Sequence, residues 1–490
     1  LDWRTAFDRE ITIDSVEMTD WQMLVEKWPD LHNFPKFTRD DDKPKGPKRF
    51  TTTLKYLKAS RGQFAFEDHE VPWGIICRNL EIGITNFPSY HGTATFHDGV
   101  VQIQDHLPMW TNMKATFVID GPNIRLPRID IDTDGAQTTA EGAVDFGHWP
   151  EMSYRVKSHV NFPRMREMFF EHETWKVTGE GDFNGVFHLY KGGHDLSGHF
   201  TSPEATVNGN RFPGLYGELQ WAPTFFEVRN AGSKVYGGRA TFNYSMKPLG
   251  SPTGSTMRFE AAYTDVDLAA YTDFLELSGT RFGGRISGYN LMEWPSGKFK
   301  EGVRGKGHAA VTPQSGWQPM EPSLERVRAA DPGHTRHEWG PFTPLPLAPH
   351  VPIAGDVAYE FDPKAVTVAP SRFITEQTHV SFGGTTAWGE SARLTFHVVT
   401  RDFQESQLLL AGIMTDFGAK TGPVAFGGRG EFDGVMTGPF RAPRVEGAFL
   451  GEDLRAWDTN WGSGTGHIVV ENSYVDVTNA IVAKDGGEIR

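Results

Sequence analysis

Apolar and polar residues alternate with a period of two over most of the chain. In Lys114-Ala115-Thr116-Phe117-Val118-Ile119-Asp120 the positions Ala115, Phe117 and Ile119 share one face. Arg128-Ile129-Asp130-Ile131-Asp132 sets Ile129 and Ile131 against carboxylates on the other side, and Val144 and Phe146 resume the pattern after a turn. Ala240, Phe242, Tyr244 and Met246 alternate with Arg239, Thr241, Asn243 and Ser245. Met257, Phe259, Ala261 and Tyr263 do the same, as do Leu394, Phe396 and Val398. One apolar face and one wet face is the antiparallel-strand pattern. Helix-period segments are few and short: 164–175, 267–278 stopped by Gly279, and 406–417 stopped by Gly418. Each comes shortly before a Gly-rich strand start, so a short helix punctuates successive units. Such helices are too short to bury the apolar face of so many strands, which a layered fold requires.

The stretch 179–241 returns without a gap as 428–490, with 13 of 63 positions identical. Gly181, Phe183 and Gly185 become Gly430, Phe432 and Gly434; Gly198 and Phe200 become Gly447 and Phe449; Gly217 becomes Gly466. An echo at a fixed offset marks a repeat architecture. The expected organisation is an opening strand/helix segment at 1–60, a first β-groove unit at 61–178 and a second at 179–311. A Pro-rich insertion at 312–352, a third unit at 353–427 and the returning repeat at 428–490 complete it. The expected fold is mainly β: an elongated, twisted antiparallel sheet of repeated units curled into a U-shaped groove, with a few short helices. The competing reading of the apolar stripe is half of a sandwich core, covered by a facing sheet.

Composition narrows the function. With 48 basic against 62 acidic residues the net charge is −14, which disfavours nucleic acid as a partner. A single Cys77 excludes an internal disulfide framework and cysteine-rich zinc sites. No apolar run is long enough to span a membrane as a helix. The chain opens without Met and stops inside a repeat, so it reads as an internal fragment or a trimmed chain, and an anchor could lie outside it.

The best motif match is Asp130-x-Asp132-x-Asp134-Gly135-x5-Glu141, which fits a calcium-loop pattern. Its flanks alternate as strands, where that loop needs helices, so the expectation is an Asp-Gly turn between wet-face carboxylates. The Gly179-x-Gly181 and Gly428-x-Gly430 runs miss dinucleotide spacing and lead into strands. No His-Glu-x-x-His and no Gly-x-Ser-x-Gly occurs. Acidic pairs are too common here for sequence to single out a glycosidase pair. The expectation is a protein without catalytic residues, metal or cofactor.

Three stretches carry a resemblance. They are Ile11–Met18 with Trp21 to Trp28 after it, Leu80-Glu81-Ile82 leading to Gly99-Val100-Val101-Gln102-Ile103, and the twice-used Gly-x-Phe-x-Gly unit ending in Gly-Gly. The chain resembles the AsmA-like and TamB-like bacterial cell-envelope proteins, relatives of the bridge-like lipid transfer proteins. The resemblance implies a periplasmic groove, anchored to the inner membrane by a segment outside this sequence, that moves phospholipids toward the outer membrane. It also implies inner-membrane partners and an outer-membrane barrel partner. The lining expected from the alternation is Phe117, Ile119, Ile129, Ile131, Val144, Phe146, Phe242, Tyr244, Met257, Phe259, Leu394, Phe396 and Val398, in contact with phospholipid acyl chains. The alternative function is a scaffold or chaperone for outer-membrane protein assembly, acting through sheet edges.

Overall fold

The computed structural model describes residues 10–33, 51–70, 73–87, 89–103, 106–145, 147, 151–171, 173–251, 253–277, 279–313, 316–320, 322–330, 349–416, 418, 426–456, 459–471 and 474–490. The chain is 70% strand and 10% helix, so the mainly β expectation holds. It divides into two compact units, 1–233 with 243–257, and 234–242 with 258–490.

The chain opens with β1 (Glu10–Ile13), β2 (Val16–Thr19), β3 (Gln22–Lys27) and β4 (Thr51–Leu54). Long strands follow: β5 (Tyr56–Asp68), β6 (Trp73–Asn86), β7 (Tyr90–Ile103), β8 (Met109–Asp120), β9 (Asn123–Thr133), β10 (Ala136–Asp145) and β11 (Glu151–Asn161). Helix α1 (Phe162–Phe169) precedes β12 (Val177–Tyr190), β13 (Gly193–Val207), β14 (Asn210–Ala222), β15 (Phe225–Val235), β16 (Gly238–Lys247) and β17 (Thr256–Asp267). From β5 to β15 each strand pairs antiparallel with the next. At the start of this run β2 and β3 both lie parallel to β5, while β1 pairs with β4.

Helix α2 (Leu268–Phe274) is followed by β18 (Phe282–Gly283), β19 (Arg285–Pro295), α3 (Phe299–Gly302) and β20 (Arg304–Thr312). Then come α4 (Leu324–Ala330), β21 (Val351–Pro352), β22 (Ala354–Phe361), β23 (Val366–Ile374), β24 (Thr378–Thr386) and β25 (Ala392–Thr400). Helix α5 (Phe403–Asp416) leads into β26 (Phe426–Gly438), β27 (Arg444–Ala456), β28 (Thr459–Glu471), β29 (Tyr474–Lys484) and β30 (Gly487–Ile489). Pairing is again antiparallel between neighbours from β19 to β30, passing over the short β21, which pairs with β18.

Twenty-six strands fall in one sheet that does not close into a barrel. The only other pairings between named strands, among the described residues, are the two-stranded β1–β4 and β18–β21. A sandwich needs a second sheet to face the first, and among the described residues neither unit has one beyond these two-stranded pairs. Burial agrees. No aromatic side chain among the described residues is less than 2% exposed; the largest fully buried side chains are Met168 and Met257.

The insertion at 312–352 contributes α4. Leu324 and Val327 of that helix pack with Met320 onto Val399, flanked by Ile374 and Leu450. Val399 has the opposite strand parity from Val398, so α4 sits on the face turned away from the apolar rows described below. Leu324→Ala should cost about 2–5 kcal/mol, read as a lower midpoint in thermal unfolding.

The N-termini of α1 and α5 follow capping rules. Asn161 Oδ1 accepts from the Arg164 N–H at 3.0 Å, with Pro163 in the first turn. Asp402 Oδ1 accepts from the Gln404 N–H at 2.9 Å. The helices therefore begin a few residues ahead of the apolar period that announces them.

Candidate functional site: an apolar sheet face

Strand register converts local alternation into long rows. In the first unit one row starts Ala59–Ile82–Ala94–Ala115–Ile129. It continues Ala140–Val156–Gly185–Gly198–Leu219–Val228. Eleven consecutive strands contribute one apolar residue or glycine each, and no polar side chain interrupts. At roughly 4.8 Å per strand the row is about 48 Å long.

The rows beside it are built from large side chains. Gly142–Tyr154–Phe187–Leu196–Trp221–Phe226 flanks it on one side. On the other lies Phe96–Met113–Ile131–Thr138–Ser158–Phe183–Phe200–Gly217. The two hydroxyls in that row satisfy each other, Thr138 Oγ1 to Ser158 Oγ at 2.6 Å, so they add little polarity to the face. The opposite face is charged: Lys114 stands across from Asp130, and Glu218 from Arg229. Its exposed ion pairs, such as Arg155–Glu141 at 2.9 Å, contribute little stability.

The second unit repeats the arrangement. Phe382–Phe396–Gly434–Gly447–Ile468–Val477 forms one row and Phe373–Val380–Val398–Phe432–Phe449–Gly466 the next. Gly434–Gly447–Ile468–Val477 occupies the same pairings as Gly185–Gly198–Leu219–Val228 at an offset of 249. The repeat read from sequence is therefore a repeat of register.

Phe117, Ile119, Ile129, Ile131 and Val144 share the first unit's apolar face, with Ile129 and Val144 buried and the others half-buried. Tyr244 and Met257 touch through Oη and Sδ at 3.3 Å. The Phe242 and Phe259 rings lie 5.9 Å apart. Leu394, Phe396 and Val398 lie in three adjacent rows of the second unit. Phe146 lies outside the described residues. Tyr154, Phe187, Trp221 and Phe226 are outside the lining expected from sequence, as are Phe183, Phe200 and Phe432, which the sequence marks only as repeat positions. The Gly-x-Phe-x-Gly unit carried a signal for Phe183 and Phe432, since period two puts each on the face of its flanking glycines.

The face is a low-dielectric surface. Burial pushes the Tyr154 phenol up to about 12 and raises Tyr244 as well. Burial holds His194, 8% exposed beside Trp221, below the usual histidine range.

Two helices lie on this face. The Phe162 ring at the start of α1 covers Gly181, and the Phe403 ring at the start of α5 covers Gly430, the equivalent glycine. A side chain at either position would strike the ring, so glycine is required for the close approach. Farther along, Phe169 meets Trp221 at 6.0 Å, and just past the helix Phe170 meets Phe226 at 5.6 Å. Met414 of α5 packs with Met436 and Phe440, against Leu394, Phe396 and Val445. Leu394 and Phe396 are thus partly covered by a helix of their own unit. Leu409→Ala should cost about 2–5 kcal/mol, because Leu409 anchors α5 to Leu268, Val351 and Ile353; thermal unfolding checks it.

The polar mooring of α5 makes the second unit sensitive to pH. Glu405 accepts from Thr375 Oγ1 and Thr378 Oγ1, each at 2.7 Å. Burial raises the pKa of Glu405 and of neighbouring Asp402. A carboxyl with a raised folded pKa contributes most below its unfolded value, and that contribution is lost as pH rises through the folded value. Glu405→Gln should therefore melt higher than the parent at pH 7, the gap closing toward pH 4.5. A melting series across that range decides it.

The calcium-like stretch is used otherwise. Asp134 pairs with Arg164 at 2.5 Å, Asp130 with Arg128 at 2.9 Å and Glu141 with Arg155. Asp134-Gly135 makes the β9–β10 turn, with Gly135 at φ +92°. The one three-residue cluster with metal-ligating groups close together, among the described residues, is Glu26, Glu67 and His69.

No family model matches the chain, and no curated protein matches it. No described helix is long and apolar enough to cross a membrane.

Proposed function

We propose that this chain is a periplasmic β-groove protein that shields phospholipid acyl chains and conducts phospholipids between inner and outer membranes. It does no chemistry of its own. The observation that carries this reading is the unbroken apolar row over eleven strands, flanked by half-buried aromatic rows. Apolar surface left in water costs roughly 25 cal/mol per Å². Ala59, Ala115, Ile129 and Ala140 of the row are already buried, so the surface that calls for an apolar occupant is that of the half-buried side chains around them, Ile82, Val156, Phe187 and Trp221 among them. Acyl chains meet that need without specific contacts. The first unit's opposite face, with its exposed ion pairs, stays in water. An inner-membrane anchor and a barrel partner belong to the same reading through the family resemblance.

Purified protein should carry phospholipid, seen by native mass spectrometry and by organic extraction. Protein that is folded yet lipid-free when taken from a phospholipid-containing host overturns the reading.

A further inference from the structure

Helix α5 crosses the second unit's apolar face along the strand direction. Its first residue covers Gly430, and Met414 reaches Met436, six residues farther along the same strand. From Phe403 to Met414 the helix rises about 16 Å at about 1.5 Å per residue, close to the roughly 20 Å that six strand residues span at about 3.4 Å each. The helix thus spans the width from Gly430 to Met436 and lies across the direction in which the rows run. It rests on Leu394, Phe396 and Val445, members of rows that continue across the following strands.

Helix α5 is held by polar moorings and by a buried apolar anchor, Leu409. Side-chain moorings sit at its two ends. Glu405 takes the Thr375 and Thr378 hydroxyls, and Asp416 accepts the Gly279 N–H at 2.6 Å and the Thr280 N–H at 3.3 Å. Ser406 adds a hydroxyl contact to Thr378 at 2.9 Å in the first turn; beyond it the contacts to the sheet through Met414 are apolar, and hydrocarbon could replace them at little cost. The seat is also imperfect. Thr280 Oγ1 and Gln404 Nε2 are buried without a hydrogen-bond partner, in side chains only 3% and 7% exposed. Lifting the helix would hydrate both groups, which favours release. Gly412 lies against Thr280 so closely that any side chain there collides with its hydroxyl.

We propose that α5 is a removable cover: it occupies an acyl seat on Leu394, Phe396, Met436 and Val445, and lifts to let hydrocarbon lie there. This rests on the lipid reading above. It adds that the closed chain holds fewer lipids than its sheet can accept, and that the difference is set by one helix.

The test uses Gly412→Ala, which collides with Thr280 and unseats α5, and the double variant Thr280→Gly with Gly412→Ala, which removes the colliding atoms. Each full chain is incubated with vesicles of phosphatidylglycerol and phosphatidylcholine. Bound phospholipids per chain are counted by native mass spectrometry, and amide exchange is followed over 403–416. Gly412→Ala should exchange at least tenfold faster in α5 and bind at least one more phospholipid than the parent, and the double variant should reverse both. Should Gly412→Ala fail to fold, Leu409→Ser loosens the anchor of α5 on Leu268, Val351 and Ile353 without a collision and must move both readouts the same way. Faster α5 exchange with an unchanged lipid count overturns the cover. A parent chain that takes up no phospholipid at all refutes the lipid reading itself, a distinct outcome.

Discussion

Phe242→Glu combined with Phe259→Glu should strip the purified chain of most of its bound phospholipid while leaving it folded. The two rings face each other at 5.9 Å with their planes 35° apart, and both are half-buried. Partial exposure is what makes the prediction specific. A fully buried carboxylate would unfold the unit or take up a proton, whereas here each glutamate can reach water at a cost of about 1–2 kcal/mol. An acyl chain meeting that point would have to strip water from two adjacent anions, which hydrocarbon cannot compensate. Phe242→Ala alone should change lipid content by less than about twofold, because solvation of hydrocarbon is spread over many side chains. Extracted lipid per chain and the thermal midpoint decide the matter together. A double variant that melts within a few degrees of the parent and still holds its full lipid complement would remove the acyl-shielding account.

Phe242 and Phe259 declare themselves by alternation alone, as do Leu394, Phe396 and Val398. Period two is a property of the strand backbone, so it survives whatever the strand pairs with. What alternation does not carry is register. Ile124, Leu126 and Ile129 share a face although 126 and 129 differ by an odd number, because the β9–β10 pairing shifts between Ala140 and Gly142. Bulges of this kind flip parity locally and leave only weak sequence marks, here Pro127. The rows over Tyr154, Phe187 and Trp221 were invisible for the same reason. Helix α4 was missed because it lies in a Pro-rich stretch and owes its stability to Val399, a residue far from it in sequence. That α5 covers Leu394 and Phe396 is a tertiary fact with no local signature. The 249-residue echo was the strongest signal in the sequence, since it marks pairings as well as residue types.

That echo makes the second large prediction possible. Gly198→Val and Gly447→Val should each lower stability by about 3–5 kcal/mol. Gly198 faces Gly185 across the β12–β13 pair, and Gly447 faces Gly434 across β26–β27. A Cβ at Gly198 would run into the Asn184 carbonyl and the Gly185 Cα, with the Phe183 ring at 2.8 Å. At Gly447 it would meet the Asp433 carbonyl and the Gly434 Cα. The obstacles are backbone atoms of a paired strand, so no rotamer change relieves them. Relief would need the ladder to separate and the phenylalanine ring to leave its glycine floor. For a unit of this size the loss corresponds to a midpoint lower by about 10 °C. Leu219→Val, in the same row but with room to shrink, should cost less than about 1.5 kcal/mol. Thermal unfolding of the three variants, with amide exchange to locate the weakened strands, tests the register directly. Exchange should rise around β12–β14 for Gly198→Val and around β26–β28 for Gly447→Val. If valine is accepted at both glycines with midpoints within 2 °C of the parent, the two sites do not share the close strand pairing on which the equivalence of the repeats depends.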